Sequence, residues 1–405
     1  MAASKVAPTA HDELRVLLRL AAPTFVSTIS FFALTMLEMI FAGHLGTAEM
    51  TAVAFSQIVF DFTIIVITQG FNKGLNALGS QAFGAKNLLL LGRYAQMGCL
   101  GVTVVTLPLA FSWWFVGDLL RLFGVSPASV VLAQQYSKLS MLWLWPRLIY
   151  QYLIVYFNSQ QIVLPTAVVS LSFVVVHVGM NVLVVFGVPS WGWAGLGFVG
   201  LPIVMCITMY GRLGVYLLYM MWYRQHHAKS WVWNLEFCQA KYILPQVRVG
   251  LPLAVGQVFE NSQLQTMALL ASSMGEVALD SHNSMIVLVF FLTSPIYGLG
   301  SAGVIRIGMY LGANEPEKAH QLALAFVSGA WVVGVPTAYL VGIHWHVGLL
   351  GVWIGMSIGY AVTTAVTLYG AITANWEAEA DKAVLRSKAK HEQITETTTL
   401  LNTKP

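Results

Sequence analysis

VGLPLAVGQVFENSQLQTMALLASSMG, residues 249–275, is an apolar stretch with one acidic residue, Glu260, near its centre. The stretch has the length of a helix that crosses a bilayer, which needs about 20 residues. A carboxylate at bilayer depth costs about 2.5 kcal/mol or more, so it should face protein or a water-filled cavity. Two interpretations remain open. Either the neighbouring glutamines hold Glu260 in a structural hydrogen bond, or Glu260 binds an ion or a proton on a transport path.

Composition indicates an all-α polytopic membrane protein. Hydrophobic residues make up 57% of the 405 residues and charged residues only 9%, which is too few charges for a soluble domain. The net charge of +4 gives no reason to expect a nucleic-acid partner. The three cysteines show no paired spacing, so neither a disulfide framework nor a metal site is predicted. The polar first 19 residues do not resemble a cleavable signal peptide.

Ten apolar segments predict ten transmembrane helices, near 20–42, 51–74, 95–116, 139–157, 166–187, 195–222, 249–273, 282–305, 321–343 and 347–373. They divide the chain into a polar arm (1–18), an N-terminal six-helix lobe (19–223), a linker (224–248), a C-terminal four-helix lobe (249–373) and a charged tail (374–405). The tail is expected to begin as a helix and to be disordered beyond it.

Lysine and arginine are concentrated in one set of the predicted loops, whereas the opposite loops hold only Arg121 and Lys138. Cytoplasmic loops carry the excess of basic residues, so both termini are predicted to be cytoplasmic. This orientation requires an even number of spans, and ten satisfies it.

The second half of the chain repeats features of the first. Arg19 to Pro23 opens the first span much as Arg248 to Pro252 opens the seventh, and Gly84-Ala85 recurs as Gly312-Ala313. Such self-similarity is typical of duplicated transporter units, whose sites lie between the repeats. Roughly 70 residues of the first half, equal to two spans and their loops, have no counterpart in the second. We therefore expect two pseudo-symmetric helical bundles of six and four helices.

Six motifs, taken in order, resemble those of the multidrug and toxic compound extrusion (MATE) family. They are AGHLGTAEMTAVAFS (42–56), LGSQAFGAKN (78–87), LLRLFGVSPASVVLAQQYSKL (119–139), NSQQIVLP (158–165), GLPLAVGQVFE (250–260) and GVIRIGMYLGA (303–313). The resemblance covers nearly everything from Leu20 to Leu368. It implies two bundles around a central cavity and the export of organic cations in exchange for protons or sodium.

The resemblance also assigns site residues. Glu260 falls on the family's seventh-span glutamate, and Glu38 falls on a first-span position where bacterial and archaeal members often have Asp. Asn181 matches a fifth-span Asn that faces the cavity of the N-terminal lobe, and His177 lies one turn before it.

Three positions depart from the family pattern. Asn76 stands where eukaryotic members usually carry an acid, Gln265 replaces a second seventh-span glutamate, and Asp61 stands where an Asn is usual. Since the missing segment would include the family's tenth span, which often supplies a partner to the seventh-span glutamate, coupling in the C-terminal lobe is in doubt.

Glu260, Glu38 and Asp61 are the acidic residues inside predicted spans and hence the candidates for cation or proton coupling. A buried carboxylate suits this role because desolvation favours a bound proton, while a nearby cation favours the charged form. A structural role is the alternative for Glu38, which is placed near the outer end of its span, and for Asp61. The candidate substrate and cavity residues are Asn181, His177, Asn76, Gln257, Gln265 and Tyr297.

Other polar and aromatic residues of the spans are expected to face the membrane. Lys73 and Arg147 should extend to the cytoplasmic edge. The aromatic residues of the fourth span could hold cations by cation–π contact, but such residues more often face lipid or the interface; they are Trp143, Trp145, Tyr150, Tyr152 and Tyr156.

The function predicted is a secondary antiporter that needs no cofactor besides H⁺ or Na⁺ as coupling ion. The sequence contains no GxxxxGK[ST] phosphate loop and no HExxH motif, so nothing points to an ATPase or a zinc-dependent hydrolase. The expected partners are the lipid bilayer and small organic cations, the expected state is a monomer, and the expected location is the plasma or the vacuolar/lysosomal membrane. The alternatives are a truncated isoform that does not transport and a flippase for lipid-linked precursors.

Overall fold

The computed structural model describes residues 10–122, 125–233, 238–239, 241–252, 254–255, 276–321 and 372–385. Across these residues the chain is helical, and the only β pairing in this part is an isolated bridge between Val188 and Trp193. The architecture is therefore all-α, as the composition predicted.

The N-terminal lobe contains helices α1 (Ala10–Leu45), α2 (Thr47–Gly84), α3 (Leu88–Ser112), α4 (Val116–Leu122), α5 (Pro127–Asn158), α6 (Leu164–Asn181) and α7 (Gly200–Leu217). A 3₁₀ turn, Trp113–Phe115, joins α3 to α4. Helices α6 and α7 continue as π-helical segments, Val182–Phe186 and Leu218–Tyr223. Beyond the lobe lie α8 (residues 241–252) and α9 (Glu276–Gly312), followed by helical segments at 316–321 and 376–385.

The helices extend beyond the apolar windows that predicted them. Helix α5 begins at Pro127 because the Ser126 hydroxyl accepts a hydrogen bond from the Ser129 amide, and proline suits the first turn. Residues 241–248, inside the predicted linker, are already helical in α8. An apolar window measures only the length that fits the bilayer, whereas caps set where a helix begins. The predicted spans 321–343 and 347–373, and most of 249–273, lie outside the described residues.

Four described segments are long and apolar enough to cross a membrane. They are Arg15–Leu45, Leu88–Leu122, Leu164–Phe186 and Gly197–Tyr223. Helices of this kind are those of an integral membrane protein.

Helix α5 lies at the centre of the lobe, where it packs on α2, α3 and α7. Trp143, Tyr150, Tyr152 and Tyr156 are accordingly buried, whereas Trp145 is 37% exposed. The expectation that these residues face lipid was wrong for the first four, because a central helix has protein on most of its sides. The Phe60 ring stacks on Trp113 with ring centroids 3.7 Å apart, which extends this aromatic core to α2.

Glycines of α2 and α9 meet in a reciprocal contact. A Cβ atom on Gly84 would collide with the backbone of Met309, and one on Gly312 would collide with the backbone of Gln81. Gly84 and Gly312 are the glycines that recur in the two halves of the sequence, and Gln81 and Met309 are separated by the same 228 residues. Each half thus contributes equivalent positions to the contact, as a duplicated unit predicts.

The loops with most of the basic residues are held together at one end of the molecule. Arg306 of α9 forms an ion pair with Glu13 at the start of α1. Arg93 of α3 donates a hydrogen bond to the Tyr242 hydroxyl over 2.5 Å, and Gln96 donates to the carbonyl of Val232 over 2.6 Å. The linker therefore packs on α3, at the same end as the α2–α9 glycine contact.

Candidate functional site

Glu38 of α1 is completely buried within the N-terminal lobe. The hydroxyl of Tyr136, on α5, donates a hydrogen bond to Oε2 of Glu38. The other carboxylate oxygen, Oε1, has no hydrogen-bond partner among the described residues. The sequence predicted that water could reach Glu38 near the outer end of its span; access to water was wrong, because the side chain is enclosed in the lobe with Tyr136 of α5 against it. One oxygen is held in place and the other is available to a proton or a cation.

Asp61 of α2 is partly buried, and Arg147 of α5 is only 8% exposed. The Arg147 guanidinium lies 4.6 Å from the centre of the Phe31 ring and 5.2 Å from that of Trp143. It interacts electrostatically with both Asp61 and Glu38. The expectation that Arg147 extends to the membrane edge was wrong, since cation–π contacts hold it inside the lobe. We call the group Glu38, Asp61, Tyr136 and Arg147 the charged chamber.

His177 and Asn181 form a second polar group nearby, and both are fully buried. Asn181 donates to the carbonyl of His177 over 2.9 Å, and Nδ1 of His177 lies 2.9 Å from the hydroxyl of Thr208 on α7. Oδ1 of Asn181 and Nε2 of His177 have no partner among the described side chains. The π-helical segment Val182–Phe186 starts directly after Asn181, and such segments are frequent at functional sites.

Arg212 of α7 was missed by the sequence analysis. It is 2% exposed and donates a hydrogen bond to Ser170 over 2.6 Å, and its guanidinium lies 4.3 Å from the centre of the Tyr150 ring. A single arginine within an otherwise apolar predicted span was the available signal, because such residues rarely face lipid.

A cavity of about 370 Å³ lies where the end of α1 meets α2 and the start of α9. Its lining is rich in methionine: Met36, Met39, Ile40, Gly43, His44, Met50 and Ser284. Thioether side chains adapt to ligands of varied shape. The cavity lies at the opposite end of α9 from its glycine contact with α2.

The remaining candidates are less informative. Glu260, Gln257 and Gln265 lie outside the described residues. Tyr297 belongs to α9, but its side chain is outside the described part. Asn76 of α2 is partly buried, and its backbone carbonyl accepts a hydrogen bond from the Ser80 hydroxyl over 2.7 Å. Glu38 and Asp61 thus each interact with Arg147, whereas His177 and Asn181 form a separate network.

The MatE family model matches residues 23–183 and 252–345, which is more than half of the chain. The chain belongs to the MatE family. The predicted resemblance is confirmed, and both the charged chamber and the His177–Asn181 network lie within the first matched region. Residues 184–251 of the chain are not matched, so α7 and the linker lie between the two matched regions.

Curated relatives and solved structures resemble this MatE chain. It is 27% identical to mouse multidrug and toxin extrusion protein 2 over 317 residues, which cover 78% of the chain and 53% of that relative. It is 25% identical to Protein DETOXIFICATION 52 of Arabidopsis thaliana, covering 85% of the chain and 66% of that relative. The crystal structure of a eukaryotic MATE transporter aligns with a TM-score of 0.75 and 19% identity, covering 93% and 99% of the two chains. The chain spans about half the length of curated relatives such as the mouse protein.

Proposed function

We propose that this MatE chain is a secondary antiporter that exports small organic cations in exchange for H⁺ or Na⁺. The observation that carries the proposal is Glu38, a fully buried carboxylate with one oxygen fixed by Tyr136 and the other without a partner in the described part of the chain. Such a group binds a proton or a cation, but it does not bind both well. Transport follows when the site opens to one side of the membrane at a time.

The arrangement of contacts supports a state that is closed at one end. The glycine contact and the Glu13–Arg306 ion pair join α1, α2 and α9 at the end that holds the basic loops. The methionine-lined cavity occurs at the other end of the same helices. If the basic end is cytoplasmic, this state faces outward and is the one that releases cargo.

An efflux assay tests the proposal. The purified full chain is placed in liposomes loaded with ethidium, and dye release is followed with a proton gradient, with a sodium gradient and with neither. Release that depends on one of the gradients is expected. Release that is indifferent to both gradients would contradict antiport.

The Glu260→Gln variant is expected to lose gradient-dependent release, because Glu260 is a carboxylate near the centre of an apolar span. Expression and thermal stability should stay near the wild-type values, and the same liposome assay measures the loss. Normal gradient-dependent release by this variant would assign coupling to the N-terminal lobe alone.

Orientation gives a separate prediction. Epitope tags at Met1 and Pro405 should both be protected in intact cells and accessible after the plasma membrane is permeabilised, because the basic residues cluster on that side. Selective permeabilisation with antibody staining measures this. Tags on opposite faces would mean an odd number of crossings.

A chain that does not transport is the second candidate, and the observation that favours it is internal: roughly 70 residues of the first half have no counterpart in the second. Under this alternative, ethidium binds to the N-terminal lobe but is not released under any gradient.

A further inference from the structure

Arg147 holds a positive charge in an unusual setting. Its side chain is more than nine-tenths buried and lies against the rings of Phe31 and Trp143. Its Nε atom has no hydrogen-bond partner among the described residues, and no described carboxylate is within ion-pairing distance of it. A buried guanidinium without such partners is strongly disfavoured unless other charges compensate for it. A requirement for function explains its presence better than stability does.

The compensating charges are those of the chamber. Asp61 and Glu38 attract Arg147, whereas Arg212 repels it. Phe31, which the guanidinium contacts, and Glu38 lie two turns apart on α1, a separation of roughly 10 Å along the axis. Arg147 therefore acts on both carboxylates through space. It leaves the free oxygen of Glu38 open to another ligand.

We propose that Arg147 is a built-in cation of the charged chamber and sets the number of positive charges that the cargo carries. Two carboxylates alone would favour a doubly charged cargo. With one of their charges balanced by Arg147, the chamber neutralises a single positive charge on the cargo, and a second one would be buried without compensation, which is strongly disfavoured. This inference rests on the proposed function and narrows it to monovalent organic cations.

The expected size of the effect follows from Coulomb's law. Two unit charges about 10 Å apart, in an environment with an effective dielectric constant near 20, interact strongly enough to change a binding constant by about tenfold. Each positive charge on the cargo is repelled by Arg147 to that extent. Removal of the guanidinium charge should therefore improve binding by about tenfold for a monovalent cargo and about a hundredfold for a divalent one.

Ethidium and propidium test this, because they share one aromatic ring system and carry one and two positive charges. Binding of each dye to the full chain in nanodiscs is measured by fluorescence at low ionic strength. The wild-type chain is expected to bind ethidium more tightly. Arg147→Met, which keeps a long side chain against the two rings, should bind both dyes more tightly and propidium by the larger factor. Arg147→Lys, which keeps the charge, should retain the wild-type preference.

Two further variants separate charge in the chamber from charge elsewhere. Arg121→Met removes an exposed arginine that pairs with Asp118, and it should leave the ratio of the two affinities unchanged. In a Glu38→Gln background, the gain from Arg147→Met should shrink. This coupling is what a role in the chamber requires and what a merely structural role would not produce.

An unchanged ratio of ethidium to propidium affinity in Arg147→Met would overturn the inference and leave the proposed function standing. Failure of the wild-type chain to bind either dye would overturn both. If Arg147→Met does not fold, the wild-type chain and Arg147→Lys test the inference instead. If these two proteins bind propidium as tightly as ethidium, the built-in cation is contradicted.

Discussion

Glu38→Gln is expected to reduce proton-driven ethidium efflux by at least about tenfold, because an amide cannot take up and release a proton. Glutamine has nearly the volume of glutamate, and its carbonyl oxygen still accepts the hydrogen bond from Tyr136, so the lobe should stay folded. The measurement is efflux from liposomes at a fixed pH gradient, together with thermal unfolding of the same sample.

Two control variants make this prediction specific. Asp118→Asn removes a carboxylate whose side chain is 65% exposed and pairs with Arg121, so efflux should not change. Tyr136→Phe removes the hydrogen bond but keeps the carboxylate, so efflux should weaken and still depend on the gradient. Wild-type efflux by Glu38→Gln would place proton coupling elsewhere in the chain.

The fold was predictable to a large extent because its signals are local or periodic. Apolar windows located the six helices that span the N-terminal lobe, and Gly84 and Gly312 marked the repeat before any contact was known. The starts of the helices were less predictable. Pro127 opens α5 well before its apolar window because Ser126 caps it, and a hydropathy window does not detect a cap.

The site was predictable by residue type but not by partner. Glu38 and Asp61 stood out as acids within apolar segments, and this pattern alone made them candidates. The partner of Glu38 is Tyr136, 98 residues away in the sequence, and nothing local links the two. Arg147 was misjudged for the same reason. The expectation that it reaches the membrane edge ignores the central position of α5 in the lobe and the ring of Phe31, which only tertiary packing brings close; Trp143 lies one turn before Arg147 on the same helix.

Gly84→Ala is expected to destabilise the chain and to slow efflux several-fold. In an ordinary helix this change is stabilising by up to about 1 kcal/mol, because alanine restricts the unfolded chain. Here the new methyl group would meet the backbone of Met309, which cannot rotate away as a side chain would. Overpacking of this kind costs about 1–3 kcal/mol, so the net sign reverses. Thermal unfolding in nanodiscs and efflux from liposomes measure the two effects.

The reciprocity of the contact supplies the comparison that decides this prediction. Gly312→Ala would press on the backbone of Gln81 in the same way, so it should lower the unfolding temperature by a similar amount. Gly300→Ala, also on α9, has no atom within 4 Å of the new methyl group and should leave the chain equally or more stable. If Gly84→Ala matches Gly300→Ala in stability and efflux, α2 and α9 do not need their close approach. The two halves would then be held together by other contacts, such as the Glu13–Arg306 ion pair.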